Sequence, residues 1–253
     1  MQNRAPRCSA SSMLILLALG LALAARADEM QGARDGTFFA ASPLFGWDRN
    51  ELKVRGPMGA ESTETDTSPM YGFFAVWGSP HVVLNNFYFA TDVNEADVMG
   101  NLFFANVYGD PEAGVTWNVG GGYLYHEIEP AMEDIKVTVP MVKAGPVFRC
   151  RHRGVMVNPY VGYAWERVDT RHGDQDNDSY LYGLSLGWHW RMVTAALKYY
   201  FQDSQEIDED FDTFRAHVNV GLTKNWGFTA RVDYMEHQTT EDRSILLGPS
   251  CVF

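Results

Sequence analysis

Along most of this 253-residue chain, hydrophobic residues recur at every second position. From Thr37 onward the pattern divides into runs of roughly ten residues separated by polar breaks, the length at which a tilted β-strand crosses a bilayer. Twelve runs are found, at 37–47, 69–78, 81–91, 98–108, 114–126, 135–149, 154–167, 179–190, 192–202, 211–222, 227–237 and 243–253. In 179–190, Tyr180, Tyr182, Leu184, Leu186, Trp188 and Trp190 share one face, and Gly183, Ser185, Gly187 and His189 share the other. In 114–126, Val115, Trp117, Val119, Tyr123 and Tyr125 oppose Thr116, Asn118, Gly120, Gly122 and His126. In 227–236, Phe228, Ala230, Val232 and Tyr234 oppose Thr229, Arg231 and Asp233. A two-residue period of this kind marks strands with two unlike faces. Runs 98–108 and 135–149 alternate less cleanly, and Pro140 and Pro146 predict a bulge in the second.

The breaks alternate in length. Long ones at 48–68, 92–97, 127–134, 168–178, 203–210 and 238–242 follow the odd-numbered runs, and short ones follow the even-numbered runs. An antiparallel sheet with long loops at one end and tight turns at the other reproduces this alternation, and an even strand count brings both termini to the tight-turn end, the periplasm. A soluble β-sandwich does not require it. After residue 27 no stretch approaches the roughly 20 apolar residues of a membrane helix. Without helices, a closed barrel is what satisfies every backbone N–H and C=O in a bilayer. The expected fold is all-β: a transmembrane antiparallel up-and-down β-barrel of about 12 strands, within 10–14, with apolar faces to lipid and polar faces to the lumen. Trp47, Trp77, Tyr108, Trp165, Trp188, Trp190 and Trp226 lie near strand ends, as interfacial girdles would.

Ahead of the strands, Arg4 and Arg7 precede a short apolar run from Met13 to Ala25, and Ala25-Arg26-Ala27 offers a small-x-small cleavage site. This reads as a signal peptide at 1–27, leaving 28–253 as a single barrel domain. The formal net charge is −12, and losing Arg4, Arg7 and Arg26 makes the mature chain more acidic still. Such a balance excludes nucleic acid as a partner, since that needs clustered basic side chains. The acidic residues gather in the long breaks, while Arg149, Arg151, Arg153, Arg191 and Lys224 lie in the short ones. Of the two cysteines that would survive processing, Cys150 and Cys251 fall six strands apart, beyond the ~7 Å reach of a disulfide.

Lumen-facing ionisable and amide residues are the first candidate site. Glu166, His189, Lys198, Arg215, His217, Arg231 and Asp233, with Asn118, Asn158 and Asn219, would line a constriction selecting solutes by size and charge. They would equally serve as an ion-pair network filling a narrow barrel. Asp174-x-Asp176-x-Asp178 resembles the start of a calcium loop, but Ser179 and Ser185 stand where its glycine and its last carboxylate belong. It is therefore not an EF-hand, and no cofactor is expected beyond Ca²⁺ or Mg²⁺ loosely bridging acidic loops to lipopolysaccharide phosphates. The stretch Gln205 to Asp212 is an acidic, solvated loop able to attract cations. Gly120-Gly121-Gly122 lies inside a strand with no GKS or GKT after it and no helix following, so it is no phosphate loop and instead permits strand curvature or close approach by a lumen side chain. His126 beside Glu127 and His237 beside Glu236 sit at the expected rim, where a lipid-processing base could work. No His/Cys spacing supports a metal site.

The final run closes on Phe253, with Ile245, Leu247, Pro249 and Cys251 alternating before it. Signal peptide, strand alternation, loop asymmetry and a terminal aromatic residue together resemble Gram-negative bacterial outer-membrane β-barrel proteins over the whole mature chain. The resemblance implies an outer-membrane location, contact with outer-membrane lipids and lipopolysaccharide, and recognition of the Phe253 strand by the outer-membrane assembly machinery. Pro249 and Cys251 depart from that terminal pattern. Phospholipases of this class carry a serine two residues after the catalytic histidine, an arrangement that none of the seven histidines has. The expected function is a small passive channel, porin-like, for small polar solutes. A closed structural or surface-interaction barrel acting through acidic extracellular loops is the alternative, and a lipid-modifying enzyme is a third reading.

Overall fold

The computed structural model describes residues 37–253, apart from 56–60, 94–95, 130–134, 151–153, 172, 191, 206–209 and 238–239. The segment read as a signal peptide lies outside the described residues, as do Glu206, Asp208 and Glu209 of the acidic loop. Twelve strands follow one another: β1 Phe38–Arg55, β2 Glu61–Gly78, β3 Val82–Val93, β4 Ala96–Tyr108, β5 Val115–Glu129, β6 Ile135–Cys150, β7 Val155–Thr170, β8 Gly173–Trp190, β9 Val193–Ser204, β10 Asp210–Gly221, β11 Trp226–His237 and β12 Thr240–Val252. Each pairs antiparallel with its neighbours in sequence, and β12 pairs with β1 to close the barrel. Closure removes the free edges that would otherwise present unpaired backbone groups.

The outer wall is greasy. Trp47 is 64% exposed, Val115 62% and Val161 60%, whereas inward Leu44 and Leu246 are fully buried. This is the reverse of a water-soluble barrel and fits a wall solvated by lipid. Trp77, Trp117, Trp188 and Trp226 ring the short-turn end, and Trp47 and Trp165 stand toward the other. A polar pair interrupts the apolar face, where the Asn86 amide nitrogen donates to Asn101 Oδ1 at 2.8 Å. Val161, between Ala144 and Tyr182 in register, lies near mid-depth on this face. Val161→Arg is expected to cost about 2–4 kcal/mol, the depth-dependent penalty of a lipid-facing cation. Urea unfolding in lipid vesicles checks this, and an unchanged midpoint would mean that the face meets water.

Two expectations need correction. No bulge forms at Pro140 and Pro146, because β6 keeps one register against β5 from Val115↔Phe148 to Ile128↔Ile135. Both prolines share the lipid-facing parity with their partners Tyr123 and Trp117. Rungs are missing on the β7 side instead, where the Asn158 amide reaches across to Pro146 O at 2.8 Å. A proline removes one ladder donor without adding a residue, so the register survives. The long breaks are also mostly strand. β1 and β2 run paired as far as Arg55↔Glu61, and β8 begins at Gly173. Past the membrane both faces of a hairpin meet water, so the pairing continues while the two-residue hydrophobic period fades.

The tight turns carry their own signatures. Gly154 has φ 60, the left-handed region open to glycine, and a Cβ there would lie 2.0 Å from His189 O. At the seam, paired rungs stop at Ala41↔Cys251 and resume at Phe45↔Leu247. Pro43 and Pro249 fall in this gap, so neither strand offers an N–H there. Gly46 and Gly248 let the two backbones approach, since a Cβ would lie 1.7 Å from Ile245 O and 1.8 Å from Pro43 O respectively. Below the gap, Phe39 and Phe253 exchange both backbone hydrogen bonds, at 3.0 and 2.7 Å. Cys150 and Cys251 are both free, on β6 and β12.

Candidate functional site

The inward residues form three storeys. Nearest the short-turn end is a belt of small neutral polar groups, including Ser42, Asn106, Asn118, Asn158, Ser185, Asn219, Thr229 and Ser250, all lumen-facing and mostly buried. Asn219 donates to Thr229 Oγ1 at 2.8 Å and to Ser250 Oγ at 2.7 Å, and Ser42 pairs with Thr229 at 3.0 Å. The Asn118 amide donates to Val107 O at 3.1 Å. Asn106 Oδ1, Asn118 Oδ1 and Ser185 Oγ are buried without a partner.

The middle storey carries the charge. Arg215 and Arg231 both clamp Asp233: Arg231 Nε donates to Oδ2 at 2.5 Å and a second guanidinium nitrogen to Oδ1 at 3.2 Å, while Arg215 Nε also donates to Oδ1. The Arg231 guanidinium lies 3.5 Å from the centre of the Phe87 ring, a cation–π contact, and its side chain is 4% exposed. Lys143 Nζ sits over two rings, 4.8 Å from Phe104 and 4.4 Å from Tyr160. His217 packs edge-on to Phe74 at 4.8 Å, and its Nε2 is buried without a partner. Lys198 is the register neighbour of Arg215 on β10 and of Ser185 on β8. Glycines make room for this storey, because a Cβ on Gly120 or Gly122 would press to 2.7 or 2.6 Å of the Phe104 ring. This is the close approach expected for the three-glycine run.

Toward the hairpin end the lining is mixed: Asp48, Thr91, Asn177, Ser179, Thr213 and Ser244 are buried polar groups there, beside apolar clusters that the expectation of a polar interior did not include. One cluster, Leu44, Met70, Phe87 and Leu246 with Phe74, Phe89 and Leu102, begins at the level of the charges, where Leu246 is the register partner of Arg231 and Phe87 lies under its guanidinium. A second joins Val139, Ala164 and Leu181 with Leu124, Val137, Met141 and Tyr200. Strands 98–108 and 135–149 alternate poorly for this reason, having apolar residues on both faces. A cavity of about 930 Å³ lies inside the barrel, its lining reaching from Phe38, His189 and Val252 at the short-turn end to Glu166, Phe211 and Met235 toward the hairpins.

Of the predicted lining residues, Lys198, Arg215, His217, Arg231 and Asp233 come together in the middle storey. Asn118 and His189 lie toward the short-turn end, where His189 Nδ1 meets Thr194 Oγ1 at 3.0 Å. Glu166 lies toward the hairpins and accepts from the Asn177 amide at 3.2 Å. Lys143 and the aromatic half of the wall were not foreseen. Lys143 sits in the run whose mixed faces hid its parity, although its position two residues from Met141 in the inward series Val137, Val139, Met141 was the available signal.

Asp174, Asp176 and Asp178 are not a loop. They lie on β8, opposite Asp169, Arg167 and Trp165, and Asp174 is ion-paired with Arg167 at 2.6 Å. His126 and Glu127, adjacent in sequence, face opposite ways. His126 packs on Phe89 at 5.3 Å inside the lumen, while Glu127 accepts from Lys136 at 2.9 Å and from Tyr125 at 3.1 Å. They cannot act on one substrate. The side chain of His237 lies outside the described residues.

No family model matches the chain, and no curated protein matches it. Among solved structures, the translocator domain of autotransporter NalP from Neisseria meningitidis is 12% identical, with 95% of this chain and 97% of that chain covered and a TM-score of 0.47. The beta domain of the Bordetella autotransporter Brka is 13% identical over 87% of this chain and 100% of that chain, with a TM-score of 0.46. The transport unit of the autotransporter AIDA-I from Escherichia coli is 10% identical over 94% and 97%, with a TM-score of 0.44. These values assign no activity to this chain. Closed, twelve-stranded and apolar on its outer face, the chain is a transmembrane antiparallel β-barrel.

Proposed function

We propose that this barrel is a passive channel of the bacterial outer membrane, conducting small polar solutes with a preference for anions. In this reading the short turns and both strand-bearing ends of the chain face the periplasm and the hairpins face outward, among lipopolysaccharide. The Phe253 strand serves the assembly machinery. One observation carries the anion preference: the middle of the lumen holds Lys143, Lys198, Arg215 and Arg231 against Asp233 as the facing carboxylate. An excess of one sign in a low-dielectric passage raises the local concentration of its counter-ion. Planar bilayers under a KCl gradient test it. The expected reversal potential lies toward that of chloride, and Lys143→Glu with Lys198→Glu shifts it toward potassium. Absence of conductance at every voltage and salt concentration would overturn the channel.

The two apolar clusters support a second reading, a closed barrel that acts through its surface hairpins. Side chains packed across a lumen fill it, as in narrower barrels. Loss of a surface phenotype on hairpin shortening, with conductance absent, would favour this reading over the channel.

A further inference from the structure

The middle and outer storeys, taken together, have the chemistry of a site for a molecule with one anionic end and one apolar end. Lys198 and Arg215 are cross-strand neighbours on the lumen face, and like charges placed directly opposite are destabilising. Asp233 offsets only part of this, being a single negative charge whose two oxygens are both engaged by the two arginines. No hydrogen bond or ion pair to Lys198 is seen among the described residues, and Lys143 has ring faces for neighbours instead of a carboxylate. His217 Nε2 also lacks a partner. A buried polar network left incomplete is costly, and an anion would complete this one. Immediately toward the hairpins one side of the wall, on β4, β5, β6 and β8, becomes Leu102, Leu124, Val139, Met141 and Leu181, while Asp48, Thr213 and Ser244 line the facing side. A chloride or a small carboxylate gains nothing from that wall, whereas an alkyl or aryl chain does, at roughly 25 cal/mol per Å² buried. The cavity of about 930 Å³ falls within the roughly 300–1,000 Å³ typical of small-ligand sites.

We propose that the lumen binds amphiphilic organic monoanions, the carboxylate on Lys143 and Lys198 and the apolar body among the residues toward the hairpin end. This rests on the anion-channel reading for its biological sense, but the binding itself does not require conduction.

The test uses the full barrel in phosphatidylcholine nanodiscs, with sodium decanoate as probe and empty nanodiscs as reference, measured by titration calorimetry. One saturable site per barrel above the empty-nanodisc uptake is expected. The Lys143→Met/Lys198→Met variant should weaken it at least tenfold, while Lys143→Arg/Lys198→Arg keeps it within a few-fold and controls for folding. Butyrate, which lacks the chain, and decyltrimethylammonium, which lacks the negative end, should not compete. Decanoate uptake equal to that of empty nanodiscs, equal binding by the methionine variant, or displacement by the cationic probe would each overturn the proposal. Binding without conductance would remove the channel and leave the site. Conductance without binding would do the opposite.

Discussion

Gly248→Val prevents the barrel from forming. The added Cβ would lie 1.8 Å from Pro43 O, 2.9 Å from Pro43 C and 3.2 Å from Leu44 Cα, all main-chain atoms of the facing strand. No rotamer change relieves a contact with backbone, so the β1–β12 seam must open locally by more than an ångström. That seam has already lost rungs at Pro43 and Pro249, and opening it further would expose unpaired N–H and C=O groups to hydrocarbon, each costing several kcal/mol. The expected result is loss of the fast-migrating, heat-modifiable folded form on unheated gels and of vesicle insertion. Gly114→Ala, with nothing within 4 Å of the new Cβ, should fold as the parent does. A folded Gly248→Val barrel would show that the seam is wider than described.

Asp233→Asn is the second large effect. It strands Arg215 and Arg231, whose side chains are 22% and 4% exposed, without their shared carboxylate. Removing one partner from a buried ion pair costs about 3–5 kcal/mol, because the remaining charge stays desolvated. The partial exposure of Arg215 places the expected loss near the low end, about 3 kcal/mol, read as a fall in the urea midpoint in vesicles. Adding Arg231→Met should recover much of it, since that change withdraws the stranded charge and leaves an apolar chain against Phe87. The same Asp233→Asn substitution should increase anion preference in surviving channels. Unaltered stability would mean that water already solvates both guanidiniums.

The sequence was most legible where one face meets lipid. Run 179–190 placed the sides of β8 from Tyr182 to His189, because lipid demands apolar residues at alternate positions and Gly and Ser supply the contrast, but left the inward Leu181 unassigned. Outside the bilayer that demand stops. Asp174, Asp176 and Asp178 therefore read as a loop, although backbone pairing with β7 carries them as strand. The lumen was half legible. Charged residues on otherwise apolar strands, such as Lys198 and Arg231, announced an inward face. Phe74, Phe87 and Phe104 did not, since an aromatic residue is equally at home against lipid and against Arg231 or Lys143. Their direction follows only from register, which joins each strand to two others. The prolines of β6 misled for a related reason, as a missing donor disturbs one ladder locally and leaves residue count unchanged.

Eleven of the twelve strand pairings join neighbours in sequence, and one spans the chain. Until that last one forms, the sheet is an open ribbon with two sticky margins and a wall of tryptophan and tyrosine that water will not tolerate. Such a ribbon stacks readily on its own kind. In water, such an unclosed chain should aggregate unless its margins are shielded, and overproduction should yield inclusion bodies.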